Sequence, residues 1–136
     1  MAVPMRDIDH EIWQTELDDF VPARIHDTHV HLFRTDLDQG PTEESRAMSE
    51  ATAKRGFAYT DMALWQEWNA ALFPGREIHG SCMGFPFPHV DMPAMNQFVA
   101  DEAHKDAGSA PFMLVRPGMP PAGAFSLCRR GLRCGR

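Results

Sequence analysis

The sequence predicts an α/β fold in which parallel strands alternate with helices, and three observations predict it. Short strand-like segments, each carrying an apolar run or apolar alternation, recur at residues 26–32, 77–84 and 112–116. Stretches with apolar residues at helical spacing lie between them, each closed by proline or glycine. Strands that alternate with helices in this way read as a parallel sheet covered by its crossover helices.

Residues 7–19 place Ile8, Ile12, Trp13 and Leu17 at near-helical spacing, with Phe20 just beyond and Pro22 as the stop, which predicts an amphipathic helix. The segment ARIHDTHVHLF follows as the first strand. The polar stretch from Arg34 to Gly56, with Gly40-Pro41 as a turn, predicts a long surface excursion with a short helix after Thr42. TDMALWQEWNAALFPG predicts the clearest helix, capped by Thr60, striped by Leu64, Trp65, Trp68 and Leu72, and ended by Pro74 and Gly75. REIHGSCMGF is a glycine-interrupted second strand, and PFPHVD a stiff loop. Asp91 predicts a cap for a helix with Pro93 in its first turn and Met95, Phe98, Val99 and Ala103 on its packed face. APFMLVRPGMPP supplies the third strand.

The 136 residues suffice for one domain with a sizeable core. No apolar run approaches the roughly 18 residues of a membrane span, and the acidic N-terminal segment lacks the pattern of a signal peptide, so a cytoplasmic protein is expected. Residues 1–121 carry 9 Lys and Arg against 19 Asp and Glu, an acidic body that argues against a nucleic-acid partner. Residues 122–136 carry four arginines and no acid, an atypical basic tail. Cys82, Cys128 and Cys134 match no zinc spacing and read as reduced thiols.

Three of the seven histidines fall in one strand, at positions 26, 29 and 31. Strict alternation would put Asp27, His29 and His31 on one face of a central strand and His26, Thr28, Val30 and Leu32 on the other. Same-face side chains two residues apart are about 6–7 Å apart at Cβ, a gap two imidazoles can close on one divalent ion. His29 and His31 are therefore the candidate metal ligands, and Asp27 a candidate to orient them. His26 reads as a structural histidine. With seven histidines in the chain an H-x-H triplet arises readily by chance, so its setting carries the argument: it lies late in a strand, where α/β folds place their sites.

In that setting FVPARIHDTHVHLF resembles the first strand of the amidohydrolase superfamily, which carries an acid and then H-x-H. The amidohydrolase-related branch is the closer likeness, with GFPFPHVDMPAMNQFVADEA and FMLVRPGMPP similar to its second and third strand regions. The resemblance covers residues 7–121. It implies a (β/α)₈ barrel, of which this chain holds the first three strands with their helices, and an active site at the strands' C-terminal ends. It also implies a divalent metal, zinc above others, held by His29 and His31. The family's further ligands, histidines from the fifth and sixth strands and an aspartate from the eighth that also handles the proton of the attacking water, have no counterpart here. The abrupt change at residue 122 reads as a truncated or frame-shifted product, with a deliberate basic arm as the other reading.

The function implied is metal-dependent hydrolysis of an amide or ester in a small-molecule substrate, with little activity from this chain alone. Non-oxidative decarboxylation of the aminocarboxymuconate-semialdehyde type is the second reading, and a non-catalytic fragment or binding module the third. A homo-oligomer or a complementing chain could supply what is missing. His79, in the second strand, and Arg116, just after the third, are further candidates for support or substrate contact, as is His89 in the loop between them.

Overall fold

A computed structural model describes residues 6–39, 42–54 and 59–118. The chain is a mixed α/β unit built on a three-stranded parallel sheet, as the alternation of elements predicts. The basic tail, with Cys128 and Cys134, lies outside the described residues.

Helix α1 (Asp7–Ile12) runs without a break into a π-helical turn, Trp13–Leu17. Trp13 anchors it, only 6 % exposed, with its ring edge-on to Phe73 at 5.7 Å and under the Arg76 guanidinium at 4.9 Å. Strand β1 (Arg24–His31) follows, then a two-residue strand β2 (Phe33–Arg34). The polar excursion holds α2 (Glu43–Lys54), a full twelve-residue helix where a short one was expected. Strand β3 (Tyr59–Thr60) returns antiparallel to β2, pairing Phe33 with Thr60. Thr60 is thus a strand residue, and the cap of α3 (Met62–Leu72) is Asp61, whose Oδ1 accepts from the Leu64 amide at 2.8 Å.

Strand β4 (Glu77–Met83) lies between β1 and β5, so β4, not β1, is the middle strand. Helix α4 (Met92–Ala103) has its expected cap, Asp91 Oδ1 accepting from the Ala94 amide at 3.0 Å, with Pro93 in the first turn. The third strand, β5 (Ala110–Pro111), is displaced from the expected 112–116 and pairs parallel with Ser81 and Cys82. Pro111 has no amide to donate, and Phe112 gives the last bond of this edge, to the Cys82 carbonyl. Beyond it the apolar run is held by a side chain. Asn96, 2 % exposed, donates to the Leu114 carbonyl at 3.0 Å and accepts from its amide at 2.8 Å. A buried amide so placed satisfies both backbone groups as a strand neighbour would.

The main core lies on one face of the sheet: Val30, Leu32 and Cys82 pack against Met62 and Trp65 of α3 and Val99 and Ala103 of α4. Gly80 is buried there because α3 comes so close that an added Cβ would lie 3.2 Å from the Trp65 ring and 2.6 Å from Val30. Burial pushes the Cys82 thiol up to about 11, so it is an inert core residue. A second cluster of Phe33, Phe87 and Met95, with Phe85 and Leu114 against it, closes the end of the sheet where β1 and β4 finish.

Candidate metal centre

The β1–β4 ladder keeps simple register from Arg24–Glu77 to Asp27–Gly80, then slips, so that Val30 pairs with Cys82 and His31 with Met83. Thr28 and His29 span on β1 what Ser81 alone spans on β4: a bulge. It overturns the expected alternation. Asp27 is in register with Gly80, on the face of the helices, whereas His31 is in register with Met83, on the opposite face. His26, expected to point away from His31, joins that opposite face, where its Nε2 meets the Ser81 hydroxyl at 3.0 Å. Asp27 still serves the site, because its Oδ1 accepts the His29 amide at 2.9 Å and fastens the bulge that turns His29 toward His31.

The two rings converge. His29 Nε2 and His31 Nε2 are 3.0 Å apart, with ring centroids at 4.8 Å and planes at 75°. Two imidazole nitrogens each bound at about 2.0–2.1 Å to one ion are separated by about 3 Å or slightly more, so this spacing fits a shared zinc. His31 is set for the role by its other nitrogen, since Nδ1 lies 3.0 Å from the Gly84 carbonyl. A carbonyl only accepts, so the proton sits on Nδ1 and Nε2 presents a lone pair. Burial lowers the His31 pKa against the opposing pull of that carbonyl, and His29 lowers it further, so the net shift favours the neutral ring. Without metal, the His29 Nε2–H can donate to the His31 lone pair; binding an ion requires His29 to carry its proton on Nδ1 instead.

The site stands at the C-terminal end of β1, with the Phe85 ring 5.2 Å from that of His31. The other candidates lie apart. His79 is level with His26, four residues before Met83 on β4, or about 13 Å down the strand. There its ring is held by Asp106 Oδ2 at 2.9 Å from Nδ1 and Glu77 Oε1 at 3.1 Å from Nε2. Arg116 and His89 line a groove of about 530 Å³ beyond the ends of β4 and β5, which His29 and His31 do not line. Among the described residues no three His, Cys, Asp or Glu side chains come together as a metal cluster.

The bulge, the Gly84 carbonyl and the Asn96 clamp were beyond sequence reasoning. A parallel-strand bulge has no fixed residue signature, and a carbonyl's partner cannot be read from its own residue type. No protein-family model matches the chain, and neither a curated protein nor a solved structure is detectably similar to it.

Proposed function

We propose that this chain carries part of a metal-dependent hydrolase of the amidohydrolase type, with His29 and His31 as two ligands of a divalent ion, zinc first. The observation that carries the reading is the 3.0 Å approach of the two Nε2 atoms, with the His31 tautomer set by Gly84. The topology supports it. The parallel strands follow one another in sheet order, and both crossover helices pack on one face, as in a segment of a (β/α)₈ barrel. A doubly wound sheet would place helices on both faces.

Bound there, zinc would act as a Lewis acid toward the carbonyl of an amide or ester. The chain's own residues hold and orient: Asp27 fixes the His29 backbone, Gly84 fixes the His31 ring, and Phe85 walls one side. Catalytic zinc usually has three protein ligands, so further donors must come from beyond the described residues or from another chain before turnover is efficient.

The test is calorimetric titration with zinc of the chain and of its His29→Ala/His31→Ala variant, with amide and ester hydrolysis followed in parallel. The expected result is weak zinc binding that the double variant loses, and little turnover. Equal binding by the variant would overturn the site. A zinc-dependent hydrolytic rate lost in the variant would show that this chain suffices, and release of CO₂ instead would make the centre a decarboxylase.

A further inference from the structure

We infer that the groove beside Arg116 is a binding site for an organic carboxylate with an aromatic or branched apolar body. This goes beyond the metal centre and does not depend on it. The groove, of about 530 Å³, is walled by Phe87, Val90, Met92, Leu114 and Val115. That volume suits a small organic molecule, and walls of this kind take an apolar body. Its polar side chains are Gln39, His89 and Arg116. Gln39 Nε2 already donates to Asp91 Oδ2 at 2.8 Å, and the other oxygen of Asp91 caps α4. Asp91, the acid beside Gln39, is thus engaged on both oxygens.

Of the eight described Lys and Arg side chains, six lie 3.9 Å or less from a carboxylate: Arg6, Arg24, Arg34, Lys54, Arg76 and Lys105. Arg116 forms no such pair among the described residues, although residues 1–121 hold 19 acids against 9 bases. Its backbone is held in place. Asn96 grips Leu114 at both its amide and its carbonyl, and Pro117 confines Arg116 to extended conformations. An exposed guanidinium at the rim of an apolar groove matches the planar, singly charged carboxylate, which it can bind through two parallel hydrogen bonds. A multiply charged phosphate would need more cations than one arginine, and would meet an acidic body.

Titration of the ¹⁵N-labelled chain with 2-naphthoate and with 2-naphthamide tests this, because the two share a ring system and differ in charge. Amide shifts should move at Phe87, Val90 and Val115, with naphthoate bound about tenfold more tightly, the preference expected of a hydrogen bond to a charged group. Arg116→Gln should reduce the two to similar affinity, Arg116→Lys should keep part of the preference, and His29→Ala/His31→Ala should leave it intact. Equal affinities in the wild type, shifts confined to another surface, or a preference that survives Arg116→Gln would overturn the proposal.

Discussion

The two ends of the β1–β4 ladder carry histidines on the same face of the sheet and treat them in opposite ways. At the C-terminal end His31 is half-buried, with a carbonyl on one nitrogen and another imidazole on the other. Neither neighbour is a carboxylate, and burial favours the uncharged ring. At the N-terminal end both nitrogens of His79 face carboxylates, which can only accept. Only the imidazolium satisfies both, so Asp106 first and Glu77 second raise the His79 pKa. One sheet thus holds a histidine kept neutral and a histidine kept as a cation. The difference lies in their neighbours, since both residues sit in strands beside polar company in the sequence.

The comparison can be broken at either end by filling space. At Gly84 an added Cβ would collide with Met95 and lie 3.1 Å from Leu114, both in the cluster at the His31 end. Gly84→Ala should cost about 1–3 kcal/mol by overpacking, and should shift the carbonyl that holds His31. Chemical denaturation reads the first effect and the His31 titration the second; an unchanged His31 pKa would mean that burial alone keeps it neutral. At the other end Gly108 packs directly under the His79 ring, which an added Cβ would displace. Gly108→Ala should cost about 1 kcal/mol, because an exposed loop can yield. It should return the His79 pKa toward the ordinary histidine value, and a pKa that stays raised would show that the carboxylates follow the ring.

Acidity should separate the two ends without any mutation. The folded-state pKa of His79 is raised, so its contribution is fully present below the unfolded value near 6.5 and is lost as pH rises through the folded value. Its partners run the other way. Burial opposes the ionisation of Asp106, but Ser109 and His79 outweigh it, and Glu77 is held low by His79 and Arg24. Their contributions are present above the unfolded carboxylate range near 4 and are lost as pH falls through their folded values. His31 is lowered, so what it contributes is present above 6.5 and is lost as pH falls from there toward its folded value. Amide exchange should therefore show the Asp106–Ser109 loop best protected between about pH 4.5 and 6.5, and the 83–85 segment best protected above that. Parallel profiles for the two segments would contradict the contrast. The smallest effect is expected at Ser81→Ala, which removes only the exposed bond to His26 and should stay within about 0.5 kcal/mol.

Much of this fold was legible in the sequence. The cap at Asp91, the proline after it and the spacing of Met95, Val99 and Ala103 announce α4, and all three of those side chains are buried. Strands β1 and β4 were legible from their apolar content and bounding turns. The third strand was misplaced because FMLV looks like a ladder strand, whereas Asn96, a residue of ordinary appearance in a helix, takes the ladder's place at Leu114. The pairing of β2 with β3 involves two residues each and leaves no periodic trace. At the site, the convergence of His29 and His31 was anticipated by a period-two argument whose face assignments the bulge then changed for Asp27 and His26. Local patterns gave the elements; the close approach of distant segments decided the site.

The most direct test is a long-range ¹H–¹⁵N spectrum of the histidine rings at pH 6.5, where an unperturbed histidine is half protonated, followed by addition of zinc. His31 should be mostly neutral with its proton on Nδ1, and His79 mostly doubly protonated. Zinc should then shift the Nε2 resonances of His29 and His31 and leave His79 unmoved. A His31 ring protonated on Nε2, or a zinc response at His79 in place of the pair, would contradict the account.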